Sequence, residues 1–235
     1  MKKFGILNAN ALKIIALVSM IIDHVGVMLF PSTLWLRCLG RISMPIFAYM
    51  IAEGCRHTKS IGKYFLRIFI LGALCQVVYF VAYQSLYLST LISFSLSVLT
   101  IALLKKLIHA RKKGAFFFYS LLNLLMLGFM LFLLYPPQFM DAYGLVLDYG
   151  FYPYLIPIIL YFLPAKGWRI AALIPLLYFL MQGLEWQQIF SFAALPILLL
   201  YNGERGKRNL KYLFYIAYPL HLVIIFIIYM FFFAK

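Results

Sequence analysis

Apolar runs of about twenty residues succeed one another along this chain with short polar connections between them, and that feature leaves few folds open. About twenty apolar residues let an α-helix cross a bilayer core of roughly 30 Å. A chain in lipid must also satisfy every backbone N–H and C=O internally, which a helix does within its own segment. Composition agrees: 66% of the 235 residues are hydrophobic and 11% are charged, with a mean hydropathy of +0.97, whereas soluble domains are about a quarter charged. The expectation is an all-helical, polytopic integral membrane protein forming a single domain over 1–235. Apolar runs set against charged punctuation place spans near 11–30, 34–53, 64–83, 90–107, 115–134, 150–163, 169–182, 187–201 and 212–233, about nine in all. The sixth to eighth are short and hold Pro153, Pro157, Pro175 and Pro196, which membrane helices tolerate when neighbours satisfy the freed carbonyls.

The net charge of +15 is distributed in a pattern. Lys2 and Lys3 precede the first span, and Arg56, Lys59 and Lys63 follow the second. Lys105, Lys106, Arg111, Lys112 and Lys113 surround the fourth connection, Lys166 and Arg169 the sixth, and Arg205, Lys207, Arg208 and Lys211 the eighth. The alternate connections, 31–33, 84–89, 135–149 and 183–186, hold no Lys or Arg; Asp141, Asp148 and Glu185 lie there instead. This is the positive-inside distribution. It predicts a chain in the cytoplasmic membrane with its N-terminus inside and, after nine spans, its C-terminus outside with Lys235. Orientation and attraction to anionic lipid account for most of the positive charge. Nucleic acid is not an expected partner, because no folded basic domain is large enough to hold a duplex. Met1-Lys2-Lys3 before an apolar run looks like a signal peptide, but no small-residue cleavage site follows and Asp23-His24 interrupts the run, so a retained first span is expected. Cys38, Cys55 and Cys75 form no CxxC pair. Cys38 and Cys55, 17 residues apart on one expected helix, would be roughly 25 Å apart.

Charged side chains inside these spans are costly, roughly 2.5–3.5 kcal/mol each at a helix centre, and they mark functional sites by default. Asp23 and His24 lie in ALKIIALVSMIIDHVGVMLF, and Arg37 and Arg41 in LWLRCLGRISMPIFAYMIAE. The three-residue connection Pro31-Ser32-Thr33 makes these two helices antiparallel neighbours. His24 is then roughly 9 Å below the outer end of its span and Arg41 roughly 10 Å below the outer end of its own, so the two reach one level and can approach. Asp23 and His24 are about 100° apart around a helix and do not form a dyad. Asp23 is better placed to neutralise Arg37 or Arg41, which stack at i and i+4 and repel unless an anion lies between them. The positive charge left over is suited to an oxyanion, a phosphate or a carboxylate. The alternative is a buried ion pair beside a histidine that is only hydrogen-bonded.

A second intramembrane histidine, His221, stands in YIAYPLHLVII after the kinking Pro219, with Tyr218 one turn earlier on the same side. It suits a core histidine bonded to that tyrosine or a substrate contact equally well. Glu53, Arg56 and His57 mark the cytoplasmic end of the second span at spacings for local pairing, and with Lys59, Lys63 and Arg67 they form a basic mouth. Ser93 and Ser97 share a helical face and are expected to bond backbone, and His109 is expected in solvent. P-loop, GxGxxG, HExxH and GxSxG patterns are absent. Four scattered histidines give no metal-ligand spacing, so no metal is expected.

The stretches LKIIALVSMIIDHVGVMLF and LRCLGRISMPIFAYMIAEGCRHT, and the late YIAYPLHLVII, resemble the TraX family, named for the conjugal-transfer protein that acetylates pilin. The resemblance spans the chain and is most specific over residues 12–58. TraX-like proteins are similar to the small members of the transmembrane acyltransferase group. The resemblance therefore implies transfer of an acyl group, most simply acetyl, from cytosolic acetyl-CoA or another acyl-CoA to an amine or hydroxyl acceptor at the membrane or its outer side. Under it, His24 is the catalytic residue, as general base or acyl carrier. Asp23 and Arg41 are its support, with Arg41 positioned to stabilise an oxyanion. Arg56, His57, Lys63 and Arg67 suit the phosphates of coenzyme A, and Arg37, Glu53, Tyr218 and His221 have substrate or supporting roles. The acceptor is not specified; a protein amine or an envelope glycan both fit. Two rivals stand beside this reading. Asp–His–Arg clusters also build proton-coupled transporters, although no second copy of the DH/GR block supplies the repeat such carriers show. A non-catalytic assembly scaffold would use the same charges only to hold helices together.

Overall fold

The computed structural model describes residues 5–135, 144–208 and 210–233. Lys2, Lys3, Asp141 and Lys235, used above for orientation, lie outside them. Among the described residues regular structure is helical, apart from two isolated parallel bridges, Leu7–Tyr201 and Leu88–Leu147. The helices are α1 (Ala9–Met28), α2 (Leu34–Gly40), α3 (Ser43–His57), α4 (Ile61–Tyr83), α5 (Thr90–Ile108), α6 (Lys113–Leu134), α7 (Tyr152–Phe162), α8 (Lys166–Gly183), α9 (Ala194–Leu199) and α10 (Lys211–Phe232), with a 3₁₀ segment at Trp186–Ala193. The all-helical class follows directly.

Among the described residues six stretches are long and apolar enough to cross a membrane: Ala9–Met28, Leu34–His57, Ile61–Ala82, Thr90–Ile108, Lys113–Leu134 and Tyr212–Phe232. The expected sixth and eighth spans coincide with Tyr152–Phe162 and Trp186–Leu199, which are shorter. The seventh is α8, 18 residues long but opening on Lys166 and Arg169 and less apolar.

The second span differs from expectation. The sequence reads as one helix through 34–53, yet the chain breaks after Gly40, turns at Arg41-Ile42 and restarts at Ser43. Pro45 gives the reason: it has no N–H for the carbonyl of Arg41, and its ring would clash there in a continuous helix. In the first turn of α3 that missing donor costs nothing. Cys38 and Cys55 therefore lie on different helices, and both are free thiols.

The chain divides into two compact units, Met1–Met50 with Leu163–Lys235, and Ile51–Phe162. The first contains α1, α2, the start of α3, α8, the 3₁₀ segment, α9 and α10. Its α1 is capped by Asn8, whose side chain accepts from the Ala11 N–H at 3.0 Å. The segment before α1 is tied to the end of α9: the Leu7 N–H donates to Leu200 O at 2.9 Å, and the Asn202 N–H to Leu7 O at 2.8 Å. Lys166 closes the same end, its Nζ donating to Leu199 O at 2.6 Å and Tyr201 O at 2.5 Å. Partial burial, and then the neighbouring Arg169, hold this ammonium below its ordinary pKa.

The second unit contains the end of α3 and α4–α7. Leu96, Met130, Leu133, Leu147 and Tyr154 form a buried core there, and Tyr154 shares a hydrogen bond with Thr100 at 2.9 Å. Ser97, fully buried, donates back to Phe94 O at 2.7 Å. This local bond to the helix backbone is common for serine in apolar surroundings.

Candidate functional site around helix α1

Two faces of α1 carry the intramembrane residues. On one, Ser19, Asp23 and Gly26 are buried at i, i+4 and i+7 and meet α2. Ser19 Oγ lies 2.6 Å from Leu39 O and 3.2 Å from Gly40 O, donating to carbonyls that the end of α2 leaves without helical partners. Asp23 meets Arg37, and Gly26 lies beside Leu36. Rising numbers on α1 match falling numbers on α2, so the helices are antiparallel neighbours. Their approach depends on small residues, as in membrane interfaces generally. A Cβ on Gly40 would lie 2.3 Å from the Asp23 Cβ and Oδ1, so a glycine there is what leaves room for the aspartate.

Asp23 binds both arginines. Its Oδ2 accepts from Arg37 Nη1 at 2.9 Å, and its Oδ1 is 3.8 Å from Arg41 Nη2. Arg41 itself is 4% exposed, held in the turn that Pro45 imposes. A second carboxylate completes the group. Glu185, just ahead of the 3₁₀ segment, places Oε2 3.9 Å from Arg37 Nη2 and 3.8 Å from Arg41 Nη2. Two guanidinium groups thus face two carboxylates. The spare positive charge expected from the sequence is balanced, because Glu185 comes back from the connection after α8 to the arginines. Charge balance was the available signal: two cations and one anion in apolar surroundings call for another anion, and acidic residues are few.

The adjacent residue, His24, faces α10. Its Nδ1 lies 2.7 Å from Nε2 of His221, whose Nδ1 donates to Ala217 O at 2.9 Å. His221 is 7% exposed. Of the two readings the sequence left open for His221, a bond to Tyr218 or a substrate contact, neither includes this histidine partner; the Tyr218 ring packs against Phe47 with centres 5.4 Å apart. Asp23 and His24 therefore serve different partners, as their angular separation implies. The contacts of Arg41 run to Asp23 and Glu185 on the α2 side of α1, and those of His24 run to α10.

The remaining sequence-predicted residues belong to the second unit. Glu53 pairs with Arg56 at 3.9 Å and His57 at 3.6 Å. Arg56 also donates to Leu160 O at 3.0 Å and to Tyr161 O, and lies 5.4 Å from the Tyr161 ring centre. A guanidinium over the last carbonyls of α7 is a C-terminal cap, a structural use of a residue expected to hold phosphate. Lys63 is exposed, and its carbonyl accepts from Arg67 Nε at 2.9 Å. His109 is exposed and turned onto Lys105 O at 2.7 Å. Among the described residues no group of three or more His, Cys, Asp or Glu is placed to hold a metal ion.

The family model described as TraX protein matches residues 8–229, nearly the whole chain, including both faces of α1 and His221 on α10. The chain belongs to the TraX family. Among curated proteins, this TraX-family chain is 27% identical over 248 residues to the probable fimbrial assembly protein FimC, serogroup H1, of Dichelobacter nodosus, covering 93% of this chain and 94% of that protein. A shorter stretch of 40 residues is 42% identical to an uncharacterized protein of Rickettsia prowazekii (strain Madrid E), covering 17% of this chain and 16% of that protein. No solved structure matches.

Proposed function

We propose that this TraX-family protein is a membrane acyltransferase, taking an acetyl group, or another acyl group, from cytosolic acyl-CoA and giving it to an amine or hydroxyl of an envelope acceptor. The similarity to a probable fimbrial assembly protein of Dichelobacter favours a fimbrial or pilin subunit as that acceptor. The observation that carries the reading is the partly buried contact between His24 and His221 at 2.7 Å, on the α1 face next to the one that holds the two arginines. An imidazole seated in an apolar bundle and hydrogen-bonded through one nitrogen offers its other nitrogen for proton transfer. As the acceptor nitrogen or oxygen attacks the thioester carbonyl, His24 takes its proton. The C–S bond then breaks, and the proton returns to the departing thiolate. Arg41 and Arg37, held by Asp23, supply guanidinium N–H groups to the negative charge that builds on the carbonyl oxygen.

The test is transfer or hydrolysis of labelled acetyl-CoA by purified protein in lipid, wild type beside His24→Ala. Wild type is expected to release coenzyme A. The variant is expected to lose about 10²–10⁴ in rate while keeping its thermal unfolding midpoint. Equal turnover by the two proteins would remove His24 from the chemistry. No turnover by wild type, with no coenzyme A binding by calorimetry, would remove the donor.

A further inference from the structure

His24 and His221 meet end to end rather than face to face. Their ring planes are 14° apart with centres 4.9 Å apart, and the joined nitrogens are separated by 2.7 Å. The difference between those two distances is two imidazole ring radii, so both nitrogens lie on the line of centres and that line lies in both ring planes. This is the geometry of an in-plane hydrogen bond, an N–H aimed along the partner's lone pair. The far nitrogen of His221 decides its direction. Nδ1 of His221 is 2.9 Å from Ala217 O, and a carbonyl only accepts, so the proton is on Nδ1. A neutral imidazole carries one N–H, and an imidazolium is costly inside an apolar helix. Nε2 of His221 therefore accepts, Nδ1 of His24 donates, and Nε2 of His24 keeps its lone pair.

We infer that His221 is a positioning residue: by accepting from Nδ1–H it fixes the tautomer and plane of His24 and makes Nε2 of His24 the nitrogen that takes the acceptor's proton. This rests on the acyl-transfer reading for its chemistry but not for its geometry. In the transfer step the acceptor's N–H or O–H bond breaks, its proton goes to Nε2, and its electron pair forms the new bond to the carbonyl carbon. The imidazolium so formed keeps Nδ1–H on His221. When the C–S bond breaks, the proton leaves Nε2 for the thiolate sulfur, and His24 returns to its starting tautomer. No proton passes along the pair, and Ala217 O holds His221 in register throughout.

Nitrogen-15 NMR of histidine-labelled protein in lipid reads the tautomer without turnover, with His24 assigned against His24→Asn. In wild type, His24 is expected to show a protonated Nδ1 and a bare Nε2. His221→Gln, whose side-chain oxygen reaches about where Nε2 stood, is expected to keep that signature and most of the rate. His221→Phe is expected to mix the tautomers and slow transfer by about a hundredfold with little change in KM for acetyl-CoA. Nε2 of His24 protonated in wild type, or an unchanged tautomer ratio in a folded His221→Phe, would overturn the positioning role. Should His221→Phe not fold, the wild-type spectrum and His221→Gln still decide. The expected tautomer in an inactive wild type would sink the acyl-transfer reading and leave the hydrogen-bond assignment intact.

Discussion

Asp23 and Glu185 answer the same two arginines from unlike surroundings, and the difference predicts unlike consequences. The Asp23 side chain is 11% exposed and makes the tighter contact, while that of Glu185 is 61% exposed and stands 3.8–3.9 Å away. Removing one partner of a buried ion pair leaves an uncompensated charge and costs about 3–5 kcal/mol, whereas a solvent-screened pair contributes about 0–1 kcal/mol. Asp23→Asn is expected to lose stability on the first scale and Glu185→Gln on the second, compared by reversible unfolding in detergent. A loss of several kcal/mol from Glu185→Gln would mean that its carboxylate is shielded by lipid or protein. The arginine pair and its aspartate were legible in the sequence, since the i, i+4 spacing and a charge in the facing span are local facts. Glu185 was not, because 144 residues separate it from Arg41 (185 less 41) and only the return of the 3₁₀ segment brings it there. The His24–His221 pair hid for the same reason: periodicity gives the face of a helix but not which distant helix meets it.

At the scale of the element, hydropathy outlined nearly every helix yet passed over the break between α2 and α3, because Leu36 to Ala52 is mostly apolar apart from Arg37 and Arg41 whether or not the backbone turns. The stop signals were present, a glycine at 40 and a proline at 45, and the turn they make is what seats Arg41 beside Asp23. Close packing follows the same logic. A Cβ at Gly40 meets Asp23 at 2.3 Å, but one at Gly128, inside α6, meets nothing within 4 Å. Gly40→Ala is expected to unseat Asp23 and lower the unfolding midpoint. Gly128→Ala is expected to gain up to about 1 kcal/mol of helix propensity and raise it. Equal shifts from the two substitutions would show that the α1–α2 contact has room the geometry denies it.

For the whole molecule the outstanding quantity is the number of crossings, and hydrogen bonds constrain it by parity. The Leu7 and Ala9 N–H groups donate to Leu200 O and Glu204 O at 2.9 and 2.7 Å, so the start of α1 and the segment after α9 lie on one side of the membrane. An even number of crossings must separate them. Five of the long apolar stretches, from Ala9–Met28 to Lys113–Leu134, lie between, which leaves an odd number to α7, α8 and the 3₁₀–α9 segment. Lys166 bonds Leu199 O and Tyr201 O, so the last two go out and return together, and α7 is expected to cross once. At 11 residues α7 is roughly 16 Å long, short of a full hydrocarbon core, and it requires local thinning of the bilayer or a passage lined by neighbouring helices. With α10 the expected total is nine crossings, with the C-terminus opposite the basic loop at Arg205, Lys207 and Arg208, which the positive-inside tendency assigns to the cytoplasm. Arg205→Cys, with Cys38, Cys55 and Cys75 replaced by serine, is expected to react with an impermeant maleimide only after the membrane is opened. Gln84→Cys, at the exposed end of α4, is expected to react in intact cells. Labelling of both Gln84→Cys and Arg205→Cys from outside would mean that α7 does not cross and would break the parity set by the Leu7 and Ala9 bonds.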